Sequence, residues 1–164
     1  MVDGSSGRKD HCGELDGLGL YSGLSISASG LTANSLWMSV IANNIANANT
    51  GRTAQGGPYR AEDVVFTPSP LSFAQTFQGA VAQGNAGFSG GGVRVAGIVG
   101  DPSPFKLVYD PTNPNAVNGY VQMPNVSLSG QMIDLMTASR AYQANVTAFS
   151  ATKTMNVESI NLGK

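Results

Sequence analysis

The sequence predicts an α+β chain: long N- and C-terminal helices paired as a coiled coil, with a small antiparallel β-domain between them. Three observations carry this reading. Residues 21–51 contain no charged side chain and follow helical periodicity; residues from Leu128 onward keep one mostly apolar stripe nearly to the C-terminus; between them, short β-branched runs alternate with Gly/Pro turns. The organisation expected is a disordered extension at 1–19, a discontinuous helical core at 20–51 and 124–164, and a β-rich domain at 52–123 containing a flexible loop at 69–92.

The first 16 residues are polar and Gly/Ser-rich, with no hydrophobic segment of the kind a cleavable export signal needs. They hold Cys12 beside His11, the only residues of their types. Two ligands fall short of the four that zinc takes, and a lone Cys builds no disulfide within one chain, so neither metal nor cofactor is expected.

In the first helix Leu24, Leu31, Met38 and Ile45 recur at heptad spacing with Ile41 between, giving one bulky stripe. Beside it Ala28, Thr32, Ser35, Ser39, Ala42, Ala46 and Asn49 form a face of small or uncharged residues. Asn47, Asn49 and Gly51 tolerate the left-handed conformation that ends a helix. Gly56-Gly57-Pro58 then makes a turn, and Val64, Val65 and Phe66 read as a strand within 59–67 that Pro68 and Pro70 end. The cluster Gly87-Phe88-Ser89-Gly90-Gly91-Gly92 lacks the Gly-Lys-Ser/Thr ending of a phosphate-binding loop and leads into a strand, which points away from nucleotide binding.

Strands follow at 93–99, 105–109 and 120–123, separated by the turn Asp101-Pro102-Ser103-Pro104 and a Pro/Asn-rich loop. Four short strands bury little on their own, so this domain borrows stability from the helices or from neighbouring subunits. In the last segment Leu128, Leu135, Tyr142, Val146 and Phe149 mark the bulky stripe, flanked by the small residues Thr137, Ala141, Ala144, Ala148 and Ala151. Two helices with one bulky and one small face each, and no third long helix to cover them, imply a chain folded back on itself that packs its small faces against other subunits.

Two blocks carry a resemblance. Residues 42–50, ANNIANANT, resemble the N-terminal signature of flagellar axial proteins, the rod, hook and related subunits. The blocks Asp101-Pro102-Ser103-Pro104, Leu107-Val108-Tyr109-Asp110-Pro111, Gly119-Tyr120 and Met123-Pro124-Asn125-Val126 resemble the proximal rod members of that family, and Ser139-Arg140-Ala141-Tyr142 and Ala144-Asn145-Val146 its wider membership. The resemblance covers roughly 18–164; Gln143 stands where the family commonly has Glu. It implies a structural subunit, exported through the flagellar type III apparatus without a cleavable signal and assembled into the periplasmic, torque-transmitting rod. The partners implied are copies of itself, other rod proteins and surrounding basal-body ring proteins.

On this footing the expected helix seam is Leu24, Leu31, Met38, Ile41 and Ile45 against Leu128, Leu135, Tyr142, Val146 and Phe149. Asn44, Ile45, Ala46, Asn47 and Thr50, with Ser139, Arg140, Ala141, Tyr142 and Asn145, are the expected signature and subunit-contact residues. Asn44, Asn47 and Thr50 would fix the helix end through amide and hydroxyl bonds, or simply cap it. Arg140 would pair with an acid of another segment or chain. An enzyme is not expected: the only His lies in the polar tail, and Glu62, Asp63, Asp101 and Asp110 sit in turn-like settings. The near-neutral net charge of −1 offers no nucleic-acid patch, and no small-molecule substrate is implied. Competing readings are a secreted or periplasmic binding module, or another rod or hook subunit.

Overall fold

The computed structural model describes residues 15–54, 56–70 and 91–162, with side chains described from residue 23 onward. Six elements follow in order: helix α1 (Leu15–Ala46), strands β1 (Glu62–Pro68), β2 (Val93–Gly100), β3 (Lys106–Tyr109) and β4 (Tyr120–Met123), and helix α2 (Leu128–Leu162). At 1.5 Å per residue the helices are about 48 and 52 Å long. α1 begins at Leu15, inside the segment expected to be a disordered extension; residues 1–14 and most of the expected flexible loop lie outside the described residues.

The two helices pack antiparallel. An added Cβ at Gly23 would lie 3.5 Å from Thr152, one at Gly30 would lie 2.9 Å from Asn145, and Asn44 bonds Gln131. Each step of seven along α1 is therefore matched by seven back along α2. The line of contact runs through Ser27, Gly30, Ala33, Ile41 and Asn44, all buried, and through the fully buried Ala138. Small and amide residues dominate this seam; of the bulky stripe of α1 that the periodicity singles out only Ile41 is buried in it, and Leu24, Leu31, Met38 and Ile45 are half-buried.

The strands form two separate two-stranded antiparallel sheets, β1 with β2 and β3 with β4, where a single β-domain was expected. The Pro102 and Pro104 nitrogens between β2 and β3 carry no N–H for a ladder, and Arg60 occupies the carbonyls there, donating to those of Asp101 and Ser103. β1 starts at Glu62, later than the expected 59, because Tyr59 and Ala61 spend their amides on Thr50 and Asn125. Ala96 bulges opposite Val65 and Phe66 and leaves Val99 exposed.

β1 and β2 lie on α1, while among the described residues β3 and β4 contact each other but no other helix or strand. The β1–β2 ladder runs beside α1 from Asn44, bonded to Glu62, to Ser29, whose hydroxyl accepts from Val93 N–H at 3.1 Å. Fifteen residues of helix and a seven-residue strand both span about 20 Å, which is why two anchors fit. Midway, Trp37 meets Phe66 edge to face at 5.8 Å.

Candidate functional site

Asn44 is 1% exposed, near the end of a helix whose next residues are half-buried or exposed. A buried amide is tolerated only if its two N–H donors and two acceptor lone pairs are satisfied, and here all four are. Its Nδ2 donates to the Glu62 carbonyl at 2.7 Å and to Gln131 Oε1 at 2.9 Å. Its Oδ1 accepts from Glu62 N–H and from the Tyr59 hydroxyl, each at 3.0 Å. One side chain thus joins α1, the lead-in to β1 and α2. Burial, and secondarily the Glu62 carboxylate, push the Tyr59 hydroxyl above its usual pKa, so it keeps the proton it donates.

Asn125 grips the same backbone from the other side. Its Oδ1 accepts from Ala61 N–H at 2.8 Å, and its Nδ2 reaches the carbonyls of Ser103 at 3.3 Å and Asp101 at 3.4 Å. Asp101 N–H returns a bond to the Ala61 carbonyl at 2.8 Å. The turn is braced by the Ser103 hydroxyl and N–H, which hold the Asp101 carboxyl below the usual range.

Asn47 and Thr50 close the end of α1. Asn47 Nδ2 donates to the Asn43 carbonyl at 3.0 Å, and the Thr50 hydroxyl donates to Asn47 Oδ1 at 3.2 Å. Thr50 N–H bonds the Asn47 carbonyl, and Tyr59 N–H the Thr50 carbonyl, turning the chain toward β1.

The remaining expected residues divide by exposure. Ile41 is buried; Leu24, Leu31, Met38, Ile45, Leu135, Tyr142 and Phe149 are half-buried beside the contact line; Leu128 and Val146 are exposed at 47% and 40%, outside it. The reason is steric: Gly23, Gly30 and Ala138 let the backbones approach along the small face, which leaves those two branched side chains turned outward. Ser139 and Ala141 are half-buried, Ala46 and Arg140 exposed, and Asn145 faces Gly30. Among the described residues Arg140 has no ion-pair partner. Tyr59, Glu62, Asn125 and Gln131 are the residues the sequence reading missed. Asn125 alone carried a signal, standing in a quoted block ahead of a helix.

The outward small face of α1 stays uncovered: Ala28, Thr32, Ser35, Ser39, Ala42 and Ala46 are exposed. Thr32 and Ser39 donate their hydroxyls to carbonyls one turn back, at 3.1 and 3.0 Å, so the face has little unmet polar demand. Leu31, Thr32, Ser35, Leu36, Ser39 and Tyr142 line a shallow groove of about 530 Å³ on it. α2 presents the opposite relief, with Met132, Ile133 and Met136 exposed at 50, 60 and 54%. Among the described residues no group of His, Cys, Asp and Glu could hold a metal, and no helix is long and apolar enough to cross a membrane.

Comparison with known proteins fits this arrangement. The family described as flagella basal body rod protein matches residues 24–52, and the flagellar basal body rod FlgEFG protein C-terminal family matches 117–162, so the helical pair defines a rod-class axial protein. Flagellar basal-body rod protein FlgC of Borreliella burgdorferi is 42% identical over 146 residues, covering 84% of this chain and 93% of that protein. FlgC of Bacillus subtilis is 41% identical over 149 residues, 88% and 98% of the two chains, and that of Salmonella typhimurium 42% over 140, 85% and 94%. The chain belongs to the FlgC family of flagellar basal-body rod proteins: its role is that of a structural rod subunit, not of an enzyme.

Proposed function

We propose that the chain enters the rod as a coiled-coil helical hairpin whose two outward faces engage different neighbours. The small-residue groove of α1 receives bulky residues such as Met132, Ile133 and Met136 from α2 of an adjoining subunit. A groove on one surface and knobs on another make a heterologous contact, which propagates along an axis instead of closing into a dimer. The observation that carries this reading is the exposed small face of α1 opposite an exposed Met/Ile face on α2. Neighbours are copies of the chain and related rod proteins, and Arg140 takes its acid from one of them. Passage through the type III export apparatus, a place in the periplasmic part of the rod and contact with surrounding rings complete the reading.

Filling the groove tests it. Ser35→Trp and Ala42→Arg alter exposed positions, so circular dichroism should match the parent chain, while swimming of a complemented deletion strain should fall at least tenfold. Parental motility from both variants would sink the groove as a subunit contact.

A further inference from the structure

The glycine positions of the α1–α2 seam do not by themselves specify a register. Gly23 faces Thr152 and Gly30 faces Asn145. A slip of seven residues, about 10.5 Å, would set Gly23 against Asn145 and Gly30 against Ala138, which a glycine accommodates as readily. In helical pairs of this kind a single buried amide can fix alignment where packing is indifferent. Asn44 is the one fully buried amide among the described residues of the seam, 1% exposed, whereas Asn145 opposite Gly30 is only half-buried.

We propose that an amide clasp, made by Asn44 and Asn125 closing on the backbone of Ala61 and Glu62 and completed by Gln131, sets the register of the two helices. Asn44 holds Glu62 through both its N–H and its carbonyl, and Asn125 holds Ala61 N–H from the side of α2. Gln131, one turn into α2, is the link between the two helices themselves. A slip would strip Asn44 of the acceptor for one N–H and pull Asn125 off Ala61, leaving buried polar atoms unpaired. The clasp therefore also aims β1–β2 along α1, because Glu62 is its first residue. Every bond lies within one chain, so the inference stands apart from the assembly reading.

Cross-linking reads the register directly. In the full chain carrying Cys12→Ser, one reporter pair is Gly23→Cys with Thr152→Cys, and the other Gly23→Cys with Asn145→Cys. The native clasp should give the 23–152 disulfide almost alone. With Gln131→Leu and Asn125→Leu added, that product should fall at least threefold and the 23–145 product should appear; Gln131→Glu alone, with Asn125 kept, retains an acceptor for Asn44 Nδ2 and should leave the parental ratio unchanged. Gln131→Met, which removes only the acceptor, decides the matter if the double variant loses its helical signal. An unchanged ratio in the clasp variants, or both products already in the parent, overturns the proposal, whatever the groove variants do to motility.

Discussion

The two β-hairpins have similar ladders and opposite dependence on the rest of the chain. β1–β2 lies on α1, buries Val64 and is anchored at both ends, by Asn44 at Glu62 and by Ser29 at Val93. Among the described residues β3–β4 contacts no other helix or strand, facing instead the 51–58 segment across a cavity, buries only Val121, and leaves Leu107, Tyr109 and Tyr120 at 61, 67 and 48% exposure. It is tethered through its flanks: Arg60 lies over the Phe105 ring at 4.4 Å, and Arg52 donates to Asn115 at 3.0 Å. Isolated two-stranded sheets are marginal in water. The first hairpin is therefore part of the helical core's cooperative unit, and the second should open on its own at lower free energy.

The strongest way to break that contrast is Asn44→Ala. It strands the Tyr59 hydroxyl, both Glu62 backbone groups and Gln131 together, and should cost about 3–5 kcal/mol in urea unfolding. Amide exchange should rise across β1–β2 as well as along the helices. A loss below about 1 kcal/mol would mean that water takes over the amide's bonds and that the site is less closed than its geometry implies.

A milder pair of substitutions separates the hairpins. Gly92 has φ +88° and an added Cβ would collide with Ser29 Oγ; Gly119 has φ +82° and its Cβ would lie 3.0 Å from the Tyr109 ring. Both carry the strain of a left-handed alanine, about 1–2 kcal/mol. Gly92→Ala also displaces the hydroxyl that anchors Val93, so it should lower global stability by about 2 kcal/mol. Gly119→Ala meets an exposed ring that can swing aside, and should instead speed exchange at 106–109 and 120–123 with the global midpoint nearly unmoved. Equal effects on the midpoint would show that the second hairpin folds with the core.

Much of this is written locally in the chain. Heptad spacing marks both helices and the uncharged run the first, and Tyr120–Met123 is bounded as its β-branched and aromatic pattern predicts. The contact line between the helices is not, because periodicity ranks bulk, whereas close packing here is set by where Gly23, Gly30 and Ala138 allow backbones to approach. The clasp is illegible for a different reason. Asn44 stands 15 residues from Tyr59, 18 from Glu62 and 87 from Gln131, so only the folded topology brings its partners together. A capping motif at Asn47–Thr50, by contrast, needs neighbours three residues away and could be read in advance.

The smallest expected effect is electrostatic and confined to the turns around the second hairpin. The hydroxyl and N–H of Thr112 hold the Asp110 carboxyl below its ordinary pKa, as those of Ser103 do for Asp101. A carboxylate whose pKa is lowered by folding contributes in full above the ordinary carboxylate range, and the contribution is lost as pH falls through the lower, folded value. On acidification, protection of β3–β4 should therefore fade before that of β1–β2. The Ser103 and Thr112 amide resonances should shift with midpoints below those of unstructured aspartate peptides. Midpoints at the peptide value would mean the Asx bonds are not held in solution, and β3–β4 would then be looser at neutral pH than its ladder alone suggests.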